Sequence, residues 1–471
     1  MELRSHPDRL LPADPRVRSV ASRLHASVAD LPLVSPHGHV DPAVLADDVP
    51  FADPATLLVT VDHYVTRLLH AHGVPLWRLG LRSARHDDPP PAAPREVWRT
   101  FCEHWPVFAG TPTRTWLEAE LTELFGVTMR PSAQTADALF DQLCARLAEP
   151  AYRPRALYER FGLEVLATTD DPVDDLDAHR RLADDPGFRG RVVPTFRPDH
   201  YVHPDRPGWT GDLARLAEAA DVDTGTLAGL VAALEVRRAY FSEHGATATD
   251  HSPPDAGSHP LTTGEAERVY AAARAGEAID AELTALRQHL LFELARMSCD
   301  DGLVMQLHPG VLRSHHRPTL EAYGPDTGHD IPVATELTRA LRPLLERFGT
   351  HPNLRLVVFT VDEDVWSREL APLAGFYPAV YAGVPWWFLD TPDAISRFRR
   401  AVTDTTGFHK TSGFVDDTRA FCSIPARHDM ARRLDCGYLA GLVAEHRLDE
   451  DEAIDLARDL AYDLPRRVFR L

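Results

Sequence analysis

Eight short apolar, often β-branched runs punctuate this 471-residue chain, and most end in a polar tip. They are LPLVSPHGH (31–39), LEVLATTDD (163–171), RVVPTFRPD (191–199), ATATDHS (246–252), GLVMQLHPG (302–310), RLVVFTVDED (355–364), AVYAGVPWW (379–387) and TSGFVDDTR (411–419). Between most of them lie helical patterns. DLARLAEAADV and TLAGLVAALEVRRAYFSEHG place apolar residues at helical spacing, and EAIDAELTALRQHLLFELARMSCDDG is a long amphipathic stretch ending at glycine. Strands that alternate with helices pair in parallel. Eight such units predict an α/β fold of the (β/α)8 TIM-barrel type, whose active site sits at the C-terminal ends of the strands. A doubly wound open sheet is the main rival for the same alternation. No internal repeat is visible.

The spacing is uneven. Residues 45–160 separate the first two runs and contain HYVTRLLHAHGVPLW, REVWRTFCEHWPVF and TWLEAELTELFGV. This reads as a helical insertion after the first strand, laid over the barrel mouth; the other reading is a separate helical domain. The proline-rich RHDDPPPAAPRE (85–96) is a surface loop within it. The expected organisation is an N-terminal segment with the first strand (1–44), the insertion (45–160), the rest of the barrel (161–435) and C-terminal helices packed on it (436–471).

Charge narrows the partners. A net charge of −20 with no basic stripe argues against nucleic acid. It also repels an anionic substrate at long range, so an anion would need a local arginine cluster. Lys410 is the only lysine. The scattered cysteines 102, 144, 299, 422 and 436 form no CxxC, which indicates neither a disulfide framework nor a cysteine zinc site. No apolar run reaches the about 18 residues of a membrane span. The N-terminus lacks the apolar core of a signal peptide, which points to the cytoplasm. Outer helices would offer surfaces for a homo-oligomer, but no seam is distinctive.

The strand tips carry the chemistry. His37 and His39 flank Gly38, and on a strand they would share one face. Two neutral imidazoles suit a divalent metal; a plain pair of polar loop residues is the alternative. Such a metal needs a further hard or nitrogen ligand, for which Asp417 and His308 are the candidates. His308 also reads as a cap or loop histidine. Asp170 and Asp171 read best as an N-cap with an acidic first turn. Arg197 ends an apolar strand. Trp386 and Trp387 read first as packing, and His63 and Tyr64 serve equally well as ordinary amphipathic-helix residues.

The segments HGHVDP, DHYVTRLLHAHGV, LEVLATTDDPVDDLDAHRRLADD, VVPTFRPD, MQLHPGVLRSHH, GPDTGHDIP, VPWWFLD and GFVDDTRAFCSIPARHDMARRL resemble, in order, the uronate isomerase (glucuronate isomerase) family of the amidohydrolase superfamily, a metal-dependent hydrolase-like fold. The resemblance runs from about residue 31 to 435. It implies one divalent metal, expected to be Zn2+, held by His37, His39 and Asp417 with His308 close by. It implies that Arg197, Arg313 and Arg419 hold a sugar acid's carboxylate or hydroxyls beside Trp386 and His308, and that His63 and Tyr64 close over the substrate. The sequence departs from the family pattern at Gly38, where cysteine is usual. It departs again at Asp416, which turns the usual TDSR into DDTR and is expected to raise the pKa of Asp417.

Aldose–ketose isomerisation moves one proton between carbons and another between oxygens, through an enediolate. Asp417 is the expected carbon base, with Tyr64 or His63 shuttling the oxygen proton. The implied reactions are D-glucuronate to D-fructuronate and D-galacturonate to D-tagaturonate, a step of carbohydrate metabolism on a small sugar acid. The rival is a mononuclear metal-dependent hydrolase or decarboxylase acting on a small carboxylated substrate. A two-metal version with a carboxylated lysine is disfavoured, because Lys410 lies outside the fourth strand.

Overall fold

The computed structural model describes residues 2–471. Its strands are β1 (Leu33–Ser35), β2 (Leu163–Ala167), β3 (Arg191–Val193), β4 (Thr195–Phe196), β5 (Ala248–His251), β6 (Val304–Leu307), β7 (Val311–Leu312), β8 (Ile331–Pro332), β9 (Leu356–Val358) and β10 (Val380–Ala382). β1, β2 and β3 form one parallel sheet in that order. A second parallel sheet has the order β10-β9-β6-β5-β4. β7 and β8 form a small antiparallel pair.

The sequence runs explain most of this. Parallel strands covered on both faces read as continuous apolar runs, and Val304, Met305, Leu307, Leu356, Val357 and Val358 are all fully buried. The helical patterns become Trp209–Ala220, Leu227–Glu243 and Asp280–Asp301, the last stopped by Gly302 at φ +80°. The third run splits into β3 and β4 at Pro194, which has no N–H to give a ladder. A parallel bridge from Asp170 to Phe196 spans the split. The eighth run forms no regular strand, because Gly413 (φ +71°) and Asp417 (φ +42°) break the extended backbone. It is tied at both ends all the same. Thr411 bridges Ala382, the Ser412 N–H donates to the Ala382 carbonyl at 3.0 Å, and the His39 N–H donates to the Thr418 carbonyl at 2.9 Å.

Between β1 and β2 lie His63–Ala71, Pro94–Glu103, Pro112–Ala119, Ala136–Leu147 and Pro154–Arg160. Three of these start on a proline, whose fixed φ and missing N–H suit the first helical position. Trp98, Phe101, Trp105 and Phe108 pack into one aromatic cluster among them. The proline-rich loop is shorter than expected, since the helix begins at Pro94. At the other end of the chain, Ile424–Ala444 packs on Pro15–Val28, and its Arg432 donates to the carbonyls of Ala29, Leu31 and Pro32. This helix runs straight through the 435/436 division expected from sequence. No helix of the described residues is long and apolar enough to cross a membrane.

Candidate active site

One cavity of about 440 Å3 gathers the strand tips. It is lined by His37, His39, His63, Tyr64, Arg197, Asp250, His308, Arg313, Trp386, Trp387, Asp417 and Arg419, among others. Every candidate site residue from the sequence faces it.

His37 and His39 lie just past β1 rather than on it, so strand alternation does not orient them. The carboxylate does. His37 Nε2 is 3.3 Å and His39 Nε2 is 3.0 Å from the same oxygen, Asp417 Oδ1, and their rings meet edge-on at 5.1 Å. Asp417 reaches them from a left-handed backbone, a strain of order 1–3 kcal/mol that the surrounding contacts must hold. Burial would raise its carboxyl, but the two imidazoles hold it well below the usual range. The expected effect of Asp416 does not occur. Its side chain turns away from Asp417 and faces His428 Nε2 at 3.0 Å. At Gly38 a Cβ would meet only ordinary contacts, 3.4 Å from the Ala167 carbonyl and 3.5 Å from Asp416 Oδ1.

Beside this cluster, His308 stacks on His37 at 4.9 Å, and its Nδ1 is 2.8 Å from Asp250 Oδ1. It is no cap. Its Nε2 is buried without a partner, as is His37 Nδ1. Two groups could hold a cation: His37, His39 and Asp417, and His37, Asp250 and His308. The first fits better. Its two nitrogens and one carboxylate oxygen are the donor set of a zinc-type ion. Asp250, in contrast, already answers Arg197 Nη1 at 3.3 Å as well as His308. Burial favours its neutral form, but Arg197, His308 and His37 hold its carboxyl well below the usual range.

The walls are arginine and aromatic. Arg197 Nε donates to Asp199 at 3.0 Å. Arg313 donates to Asp330 at 3.1 Å and to Ser252 Oγ at 2.6 Å, with its guanidinium 4.9 Å over the Trp387 ring. Arg419 Nη2 lies 3.5 Å from Asp326. Trp387, at φ +52°, and Trp386 are buried in packing and line the cavity as well. Trp386 also meets His308 edge-on at 4.7 Å.

His63 and Tyr64 open the helix His63–Ala71, capped by Asp62, whose carboxylate accepts from the Tyr64 N–H at 2.8 Å. Gly328 lets the opposite loop approach this helix; a Cβ there would lie 2.6 Å from Arg67 Cβ. Both His63 nitrogens are buried without partners. Burial, with Arg419 nearby, pushes His63 down to about 3, so it is neutral near pH 7. Burial also keeps the Tyr64 phenol well above its usual range. Its hydroxyl donates to Asp390 Oδ2 at 2.8 Å.

Asp170 and Asp171 are not helix caps. The residue before the helix Asp177–Asp184 is Leu176, without a side-chain cap bond. Asp170 instead accepts from Thr168 Oγ1 at 2.7 Å and from the Thr195 N–H at 3.2 Å, and Asp171 accepts from the Tyr201 hydroxyl and the Val173 N–H. Sequence reasoning gave no role to Asp250, Asp326, Asp330 or Asp390. Asp250 carried a signal as the polar tip of the fourth run, and Asp326, Asp330 and Asp390 lie in the segments GPDTGHDIP and VPWWFLD.

The chain is similar to known proteins over its whole length. A family model described as glucuronate isomerase matches residues 16–469. A uronate isomerase from Rhizorhabdus wittichii is 52% identical over 469 residues, covering 100% of this chain and 99% of the relative. One from Corynebacterium efficiens is 50% identical over 468 residues, covering 99% of each. The crystal structure of glucuronate isomerase from Caulobacter crescentus superposes with a TM-score of 0.97 at 44% identity, covering 100% of this chain and 98% of that one. By sequence and by fold together, this chain belongs to the glucuronate isomerase family.

Proposed function

We propose that this protein is an aldose–ketose isomerase interconverting D-glucuronate with D-fructuronate, or D-galacturonate with D-tagaturonate, by proton transfer through an enediolate. The observation that carries the reading is the convergence of His37 and His39 on one oxygen of Asp417, at the floor of a cavity walled by Arg197, Arg313 and Arg419. The relatives that match over the whole chain bear the same activity in their names.

The architecture in this reading is a closed eight-stranded barrel. Its support is the chain of parallel pairings through both sheets, the bridge from Asp170 to Phe196, and the segment 411–418 tied to β10 on one side and to His39 on the other. Residues 45–160 are the helical insertion over its mouth, which brings His63 and Tyr64 to the site. Residues 1–44 and 161–435 build the barrel, and the helices through 436–471 brace it from outside.

Each side chain has a task. An arginine fork matches a carboxylate with two parallel N–H donors, which lets an acidic protein hold an anion. Arg419, Arg313 and Arg197 are placed for that and for the hydroxyls, and Trp386 gives the sugar an apolar wall. Asp417, held ionised, takes the proton from C2 and returns it to C1. Tyr64 handles the oxygen proton. His63, neutral and free at both nitrogens, can donate to or accept from a substrate oxygen. His37, His39 and Asp417 would hold a divalent ion such as Zn2+, which when bound supplies Lewis acidity toward a substrate oxygen. The two-metal version of the hydrolytic rival loses ground here. Lys410, the only lysine, donates to the carbonyls of Tyr377 and Pro378 and does not line the cavity.

An NMR time course with D-glucuronate and, separately, D-galacturonate, with and without added zinc, tests the reading. Ketose should appear and rank the two sugars. No conversion of either by metal-loaded protein would refute it and move the assignment to the hydrolytic class.

A further inference from the structure

Behind Tyr64 lies a buried group that the reaction as described does not use. The Tyr64 hydroxyl donates to Asp390 Oδ2 at 2.8 Å, and Arg427 Nη1 donates to that same oxygen at 2.8 Å. The other oxygen, Asp390 Oδ1, is buried with no partner. Asp390 follows directly on the Trp387–Leu389 turn whose tryptophan lines the cavity. Arg427 is fully buried, with its guanidinium 3.7 Å over the Trp116 ring and 4.9 Å over the Tyr64 ring, and its Nε donates to Ser423 Oγ at 3.1 Å. A buried carboxylate with one oxygen idle is expensive unless something uses it.

The direction of the hydrogen bond sets what Tyr64 can do. Its proton is aimed at Asp390, away from the cavity. It therefore meets the substrate as an acceptor, through its lone pairs. Alone it would make a poor acceptor, because taking a proton without passing one on would place a cation on a buried phenol, and a bare phenolate is disfavoured there as well.

We propose that Asp390, anchored by Arg427, is the positioning residue that turns Tyr64 into a two-bond proton relay. A substrate hydroxyl O–H breaks as a new O–H forms on the phenol oxygen. In the same motion the original phenol O–H breaks and an O–H forms on Asp390. The proton stored on Asp390 returns by the reverse path to the oxygen that needs it, so no proton is gained or lost over a turnover and neither phenolate nor protonated phenol accumulates. Arg427 keeps the carboxylate ionised and in place between turnovers. Burial, opposed by Arg427 and Tyr64, brings Asp390 to about 6, a value suited to accepting and returning a proton near neutral pH.

This rests on the isomerase reading, and a double-mutant cycle on the full chain separates the two. D-Glucuronate and D-galacturonate turnover is measured for wild type, Asp390→Asn, Tyr64→Phe and the double variant. Asparagine keeps the shape and the acceptor for Tyr64 but cannot store a proton. Asp390→Asn should lower kcat by about 100-fold with KM within about threefold. In the Tyr64→Phe background the same change should cost less than about threefold, because Asp390 acts only through the phenol. A full additional loss in that background overturns the relay, as does a single variant with unchanged kcat. An inactive wild type refutes the isomerase reading instead. If Asp390→Asn is not recovered folded, Arg427→Lys keeps the charge and runs the same cycle. Its kcat should fall in the Tyr64 background and stay level in the Tyr64→Phe background, and equal losses in both overturn the proposal.

Discussion

Arg399→Met should destabilise the fold by about 3–5 kcal/mol, and the structure says why. Arg399, on the helix Pro392–Thr406, is 2% exposed. Its Nε and Nη2 donate to the two oxygens of Asp435 at 2.6 and 2.9 Å, and its Nη1 donates to Thr411 Oγ1 at 3.2 Å. Thr411 opens the segment that ends in Asp417. The pair thus fastens two outer helices to the least regular stretch of the sheet region. Methionine fills similar space but strands the Asp435 carboxylate among buried groups, and breaking such a pair from one side costs about 3–5 kcal/mol. Unfolding entropy near about 2.1 cal/mol/K per residue gives about 1 kcal/mol/K for 471 residues. The midpoint should therefore fall by about 3–5 °C, read by calorimetry at one scan rate. Arg399→Met combined with Asp435→Leu removes the orphaned charge and should recover most of that loss. A single variant within about 1 °C of wild type would refute the reasoning, and so would a double variant as unstable as the sum of the two singles.

His39→Gln removes one of the two imidazoles facing Asp417 Oδ1 and should cut zinc affinity by more than the about 10–100-fold that follows loss of an outer-shell partner; equilibrium dialysis with metal analysis reads it, and an unchanged affinity sinks the assigned ligand set. Asp170 gives a pH test with a definite sign. Burial raises its carboxyl to about 7 against an unfolded value of 3.8, despite the bonds from Thr168 and Thr195, so the folded state prefers it protonated and wild-type stability drains away as pH rises between those values. The midpoint of Asp170→Asn should gain on wild type from pH 5 to pH 8, and a difference that stays flat with pH contradicts this.

What the sequence made legible follows from where each signal is local. Parallel strands announce themselves as apolar runs, and His37, His39, Asp417 and the three arginines sit at or near the ends of such runs. Pro194 was equally visible in sequence, but its effect is on pairing: it divides one run between two sheets. The segment 411–418 reads as a strand by composition, yet it is held by bonds at its two ends, because the left-handed backbone at Gly413 and Asp417 is set by tertiary contacts. Asp416 illustrates the limit best. Adjacency in sequence suggests two repelling carboxylates. The strained backbone sends one to His428 and the other to His37 and His39. Asp390, Arg427, Asp326 and Asp330 come from loops and a helix start with no periodicity, so only the fold could bring them to the site.

The arginine wall solves the charge problem differently from a simple positive pocket. The three arginines of the wall already face carboxylates of the chain: Arg197 faces Asp199 and Asp250, Arg313 faces Asp330, and Arg419 faces Asp326. Aspartates outnumber arginines along the lining, so long-range attraction does little to draw in an anion. An entering carboxylate must displace one already there. The ties differ in strength. Arg197 is held by two buried carboxylates, whereas Arg419 and Asp326 meet at 3.5 Å with both side chains about a third or more exposed. An exposed pair of that kind is worth about 0–1 kcal/mol. Exchange at Arg419 is accordingly the cheapest of the three, which makes it, in the proposed reading, the landing point for the sugar acid's carboxylate. A small inorganic anion could break the same tie, but it brings no hydroxyls for His63, Tyr64 and the remaining arginines. Discrimination then comes from filling the whole constellation at once, and an acidic protein can hold an acidic sugar without concentrating every other anion beside it.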